Sequence, residues 1–331
     1  PIGHPTRASL YIGQRGMGKT ALLLEFAERA SGLGFIAAKA TVGESLLEEL
    51  LETVQTNGMR RLPKGNPLKG FSVGALGFSV GLTFNDVTQN SYGFRTKLSL
   101  LCDALARHEL GVLLLVDEVT TTSIELRQLA TAYQELVGEG KNIAIAMAGL
   151  PTATAKVLND KTLTFLNRAS KCQLGPLPIA EVVSYYYKTF KALRKTISTE
   201  DMQRAAEATH GYPYLLQLVG YHLLDLVGDD DTIPSAAVTL AIENARRTMV
   251  ETVFEPSLSP LSAADVNFLK AMSPDDQASR ISDVQRRLGV SPEAAQQTRA
   301  RLIAAGAVAS PSRGRLVMEL PFLAEYLRGS L

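Results

Sequence analysis

Apolar positions in the first half of the chain fall into two alternating rhythms. A strand-like run at Ala8 to Ile12 leads into "KTALLLEFAERAS", where Leu22, Leu23, Phe26 and Ala30 recur at helical spacing. "GFIAAKATV" reads as a second strand, and "SLLEELLETVQTNGMRRL" as a helix with Leu46, Leu47, Leu50 and Val54 on one face. The rhythm breaks at "FSVGALGFSVGLTF": Phe78, Val80, Leu82 and Phe84 alternate with small residues around a glycine-containing turn. That pattern predicts a β-hairpin inserted at about residues 70–84, there either to cover a sheet edge or to meet a partner. A helix around Lys97 to Arg107 precedes "GVLLLVDEVT", a continuous apolar run ending in two acids. Such runs belong to strands buried on both faces, and hence to a parallel sheet. A helix from Ser123 to Val137, the strand "NIAIAMAGL" and a short strand around "KCQLGPL" complete five βα-type units. The fold class expected is α/β, a doubly wound parallel sheet.

From Pro178 onward the pattern becomes helical, through "IAEVVSYYYKTFKAL", "STEDMQRAAEAT", "YPYLLQLVGYHLLDLV" and "PSAAVTLAIENARRTMVETVF". "EPSLSPLS", with its prolines and serines, reads as a linker near residue 258. Beyond it three helices are expected, Ala263 to Ala271, Ile281 to Leu288 and Pro292 to Ala305, followed by two short strands within "GAVASPSRGRLVMELP". Three helices and a two-stranded wing make a winged-helix pattern. The domain reading is therefore a core over residues 1–177, a helical lid over 178–257 and a winged helix over 258–331.

Composition narrows the field only a little. The 331 residues are 46% apolar and 20% charged, as in a soluble globular protein, and the net charge of +1 means that any basic surface must be local. Cys102 and Cys172 have no metal-ligand spacing and both sit in core-like segments, so buried, reduced thiols of a cytoplasmic protein are expected. The apolar runs are too short for a membrane helix, and no signal peptide opens the chain. Because the first strand begins almost at once, a base-closing segment is expected to precede it in a longer chain.

The chemistry starts at "GQRGMGKT", Gly13 to Thr20. Glycines at this spacing let the N–H groups of Gly13, Gln14, Arg15, Gly16, Met17 and Gly18 curl around phosphate oxygens while the helix behind aims its positive end at them. Lys19 reaches the β and γ phosphates, and Thr20 offers a hydroxyl to Mg²⁺. About 100 residues later Asp117 and Glu118 end the buried strand, where Asp117 is assigned to Mg²⁺ and Glu118 to the general base. Paired acids favour ATP hydrolysis over phosphoryl transfer to a small molecule.

These motifs, with "AIAMAGLP" and "HGYPYLLQLVG", resemble the AAA+ branch of P-loop ATPases and the related STAND signalling ATPases, nearest to the archaeal-type, origin-initiator-like group that carries a winged helix after its lid. The resemblance implies ATP/ADP and Mg²⁺ as cofactors. It implies that Gly211, Tyr212 and Pro213 match a Gly-x-Pro lid motif near the adenine. It also implies that Arg168 can act as an arginine finger, completing a neighbour's catalytic site in a homo-oligomer; taken alone, the same residue reads as a surface arginine at a helix end. Two departures stand out. The fourth strand ends Met147-Ala148-Gly149, without the usual polar sensor, and the lid lacks a sensor arginine at the Gly-Tyr-Pro stretch.

Between Arg286 and Arg315 lie six arginines and one acid, Glu293. That excess suits contacts with double-stranded DNA through Arg299, Arg301, Arg313 and Arg315, with Gln296 and Gln297 heading a recognition helix. Winged helices also pack against protein, and in STAND proteins one clamps the nucleotide domain shut. Two functions follow from this: a DNA-associated ATPase, or a slowly hydrolysing signalling switch with an internal clamp.

Overall fold

The computed structural model describes residues 7–61, 93–119, 123–160, 163, 166–276, 278–320 and 322–329. The hairpin expected at 70–84 lies outside them. The chain divides into two units, one of residues 1–13 and 19–174, the other of residues 14–18 and 175–331.

In the first unit, β1 (Ala8–Ile12), β2 (Phe35–Thr41), β3 (Gly111–Val119), β4 (Ile143–Gly149) and β5 (Ser170–Gln173) form one sheet in the order β2-β3-β4-β1-β5. Every pairing is parallel. The helices between them are α1 (Lys19–Gly32), α2 (Leu46–Arg61), α3 (Phe94–Ala106), α4 (Ile124–Gly138) and α5 (Pro151–Leu158). Parallel strands need such crossovers, and their helices cover both faces. Leu50 and Val54 of α2, Leu98 and Leu105 of α3 and Leu129 and Leu136 of α4 close one face, against Leu10, Ile36, Val112 and Leu114. On the other face Leu23 and Phe26 of α1 lie against Leu115, Ala146 and Ala148. Burying each such leucine stabilises the fold by about 1.5–3 kcal/mol. The carboxyl ends of β1, β4 and β3 are consequently neighbours, with Ile12 beside Gly149 and the Gly13 N–H donating to the Gly149 carbonyl across 3.2 Å.

Two expectations about this unit change. Cys102 is buried, and burial pushes its thiol up to about 12, whereas Cys172 is exposed. β5 is the sheet's outermost strand among the described residues and all four of its residues are exposed, so a core-like sequence there found no covering layer. Helix α5 was not foreseen: its N1 proline follows Gly149-Leu150, a pair that reads as the end of a strand and nothing more.

In the second unit, α6 (Ile179–Ala192), α7 (Thr199–Glu207), α8 (Pro213–Val227) and α9 (Ser235–Met249) share one core. Tyr186 lies inside it, its hydroxyl donating to the Leu216 carbonyl at 2.7 Å, with Gly220 leaving room for its ring. Ser198 caps α7 by accepting from the Asp201 N–H, so α7 starts at the serine that its sequence signals.

The expected linker near 258 is helical instead. From α9 the chain widens into a π-turn, Val250–Phe254, and continues as α10 (Glu255–Leu258). The Glu255 N–H donates to the carbonyl of Val250, five residues back, and Pro256, which has no N–H, falls where the α ladder is already interrupted. The buried Phe254 and Met249 hold the segment in place. After it come α11 (Ala263–Met272), β6 (Ser279–Arg280), α12 (Ile281–Leu288), α13 (Pro292–Ala304), β7 (Val308–Ala309), β8 (Arg315–Met318) and α14 (Leu323–Arg328). Ser262 and Asp265 close a capping box on α11. The strands form an antiparallel sheet in the order β6-β8-β7, of which β6, only two residues long, was not anticipated. Phe268, Val284, Leu302 and Leu316 make its core. Among the described residues, no helix is long and apolar enough to cross a membrane.

Candidate functional site

In the first unit the site is assembled at strand ends. Gly13 follows β1, and α1 begins at Lys19, whose Nζ donates to the Gly13 carbonyl across 2.9 Å. The Thr20 hydroxyl donates to Oδ2 of Asp117 at 2.7 Å. Asp117 is 3% exposed, and its other oxygen, Oδ1, accepts the Glu118 N–H at 2.9 Å. A register shift between Val116 and Val119 places the two acids in a β-bulge. The bulge re-aims them: Asp117 is buried, and Glu118, at φ 51°, is exposed. A glutamate in the left-handed region carries strain on the order of 1–3 kcal/mol, held by the structure around it.

A residue not singled out in the sequence completes this cluster. Nζ of Lys39, midway along β2, lies 3.3 Å from Asp117 Oδ2. The signal was available, since Lys39 is the one charged residue in "FIAAKAT". Arg168 is exposed two residues before β5 and makes no hydrogen bond or ion pair among the described residues.

In the second unit the loop residues Gln14 to Gly18 meet the helices. Gly16 and Gly18 both have φ 74°, which curls the loop, and Met17 N–H donates to the Gln14 carbonyl at 3.3 Å. The hydroxyl of Tyr212, a residue 1% exposed, donates to the Arg15 carbonyl at 2.6 Å. Its ring occupies the place a Cβ at Gly16 would need. Burial, with Tyr214 nearby, pushes the Tyr212 phenol up to about 12, so it stays a donor. Pro213 lies beside Gly18. Gly211, at φ 72°, accepts from the Leu177 N–H at 2.7 Å so closely that any side chain there would collide with the Leu177 carbonyl. His210, also left-handed at φ 49°, packs its ring on Phe322. Nε2 of Gln14 donates to the Met318 carbonyl at 3.3 Å, and Met17 packs against the core of the C-terminal helices. A cavity of about 450 Å³ is lined by Arg15, Gly16, Tyr212, Tyr214, Pro256 and Gly306, among others.

The basic residues proposed for DNA are mostly engaged within the unit. Arg301 grips Asp265 with Nη2 at 2.7 Å and Nε at 3.1 Å. Arg299 donates to Gln296 and Ser310, and Arg315 to the Ala278 carbonyl. Arg287 pairs with Asp275 and Arg286 with Asp283. Gln297 and Arg313 are exposed. The partner acids Asp265, Asp275 and Asp283 all lie outside the 286–315 window, which is why the local count of charges overstated the free ones.

Among the described residues no cluster of three His, Cys, Asp or Glu could hold a metal ion by itself. Mg²⁺ usually takes one or two protein oxygens together with phosphates and waters, so the Thr20 hydroxyl and the Asp117 carboxylate suit it as a donor set. The curled loop ahead of a helix N-terminus likewise suits phosphates.

Residues 251–327 match a family model described as a domain of unknown function, DUF8462. No curated protein matches the chain. Solved structures resemble it along most of its length. The Walker-type ATPase PABY2304 of Pyrococcus abyssi is 17% identical with a TM-score of 0.59, over 97% of this chain and 91% of that one. The Aeropyrum pernix ORC2 protein in its ADP form is 15% identical with a TM-score of 0.59, over 98% of this chain and 87% of that one. The same protein in its ADPNP–ADP complexes is 14% identical with a TM-score of 0.57, over 98% and 86%. At these identities the likeness concerns the fold. The chain has the P-loop α/β fold, a parallel five-stranded sheet with helices, followed by a helical C-terminal region.

Proposed function

We propose that the protein is an ATP-binding and ATP-hydrolysing switch of the AAA+/STAND type, whose C-terminal module, a winged helix over residues 258–331, is held on the phosphate loop in one nucleotide state. The observation that carries this reading is the hydrogen bond from Gln14 to the Met318 carbonyl, with Met17 packed against the apolar cluster that this module shares with Tyr212 and Leu215. Phosphate-loop residues do not need those contacts to bind phosphate. Their presence ties the loop's conformation to that of the module.

In this reading the loop N–H groups and Lys19 bind the phosphates, and Gly211, Tyr212 and Pro213 bring the lid to the loop. Thr20 and Asp117 hold Mg²⁺, which when bound neutralises charge on the phosphate oxygens. Glu118, turned outward by the bulge, takes a proton from the attacking water. Arg168 offers a planar, always-charged donor to the γ-phosphate of a neighbouring copy. The test is amide hydrogen exchange across residues 315–320, with ATP held by Glu118→Gln and with ADP. Exchange should be faster in one nucleotide than in the other. Identical protection in both states would sink the switch.

A second reading, a DNA-associated ATPase, is favoured by the exposure of Gln297 on α13 and of Arg313 between β7 and β8.

A further inference from the structure

Three donors of the chain converge on one carboxylate, and one of them is a cation. Oδ1 of Asp117 takes the Glu118 N–H, while Oδ2 takes both the Thr20 hydroxyl at 2.7 Å and the Lys39 ammonium at 3.3 Å. Lys39 lies between the buried Ala38 and Ala40, which fixes its backbone, and its side chain is 27% exposed. Its ammonium is thus held against a carboxylate that is itself almost wholly buried. Asp117 is the one acid within ion-pair distance of Lys39 among the described residues.

We infer that Lys39 is a positioning residue for the divalent-cation site: a tethered cation that compensates Asp117 in the metal-free protein and has to give up Oδ2 when a metal ion is bound there. This rests on the reading of Thr20 and Asp117 as the Mg²⁺ residues. A buried carboxylate without a partner is costly, so an ATPase that holds nucleotide without metal needs a substitute cation at this oxygen. Two cations on one oxygen repel, so whatever Lys39 contributes to the metal-free site it subtracts from metal affinity. Lys39 thereby sets the Mg²⁺ concentration at which the protein passes from one form to the other, and it supports binding of nucleotide in the absence of metal.

The experiment measures binding of a fluorescent ADP analogue to the full chain, in EDTA and across a Mg²⁺ titration, with Mn²⁺ binding followed by electron paramagnetic resonance as a second readout. Lys39→Met keeps the stem and removes the charge. It should lower the half-saturating Mg²⁺ and Mn²⁺ concentrations about fivefold, the factor appropriate to a partly exposed ion pair, and weaken binding of the analogue in EDTA. Lys39→Arg, which keeps the charge, should stay close to wild type. If Lys39→Met does not fold, Lys39→Gln is measured in its place with the same expectation. Unchanged metal dependence in the neutral variant overturns the inference while leaving the nucleotide site intact. Wild-type protein that binds the analogue neither in EDTA nor in Mg²⁺ overturns the reading of the site and this inference together.

Discussion

The Tyr212 hydroxyl donates to the Arg15 carbonyl across 2.6 Å, joining residues 197 positions apart in the sequence. Tyr212→Phe keeps the ring over Gly16 and deletes only this hydrogen bond. It should lower stability by about 1 kcal/mol. Because the bond restrains the phosphate loop, bound nucleotide should also leave several-fold faster, as followed by stopped-flow release of a fluorescent ADP. Release and melting temperature both equal to wild type would remove the lid's hold on the loop.

Gly211 is confined twice, by its φ of 72° and by the backbone of Leu177. Its neighbour is main chain and cannot swing aside. Gly211→Ala should therefore destabilise the protein by at least about 2 kcal/mol, through the combined cost of a left-handed residue and a displaced segment. Thermal unfolding measures it, and a loss under about 0.5 kcal/mol, the range of an unremarkable surface change, would contradict the packing described.

Glu118→Gln retains the shape of the side chain and removes the base. Turnover should fall by about 10²–10⁴-fold while ATP stays bound. A steady-state phosphate-release assay with parallel nucleotide binding separates the two, and undiminished turnover would refute the role assigned to Glu118.

Asp265 gives the C-terminal module an acid-sensitive point. Burial works to raise its carboxyl, but hydrogen bonds from Arg301 and Ser262 outweigh it and hold the group below the usual carboxylate range. A carboxyl depressed in the folded state adds stability that is fully present above its unfolded value of about 3.9 and is lost as pH falls through its lower folded value. Asp201 and Asp275 are depressed as well and act in the same direction. Asp265→Asn should thus destabilise at pH 7 and progressively less as the pH falls through that lower folded value, flattening the acid limb of a melting-temperature profile. Parallel profiles for variant and wild type would rule out the ion pair as its source.

If the module also holds duplex DNA, the exposed Arg313 can contribute where Arg301 is engaged with Asp265. Arg313→Ala should reduce the slope of log affinity against log salt by about one unit, the signature of one lost phosphate contact. Arg301→Ala should act chiefly on stability. Salt-insensitive or absent binding by the intact chain would exclude this reading.

How far the sequence could be read depended on whether the determinant was local. The phosphate loop and the run Val112 to Val116 carry their structure in adjacent residues, so sheet, loop and acids were all legible. The role of Lys39 depends on Asp117, which reaches it only through the pairing of β2 with β3. Arg301 and Arg287 read as free within residues 286–315 because their acids, Asp265 and Asp275, lie outside that stretch. Pro256 and Pro260 suggested a linker, yet Phe254 and Met249 had core to bury, and packing overrode local propensity. β6, two residues long, has no periodicity to detect.

The bulge at Asp117 and Glu118 sets durability against reactivity at a single backbone angle. Glycine would occupy the left-handed position at 118 with less strain, and a chain selected only to resist unfolding would drift toward it. In the function proposed above a carboxylate has to stand there instead, at the expense of the strand that carries it.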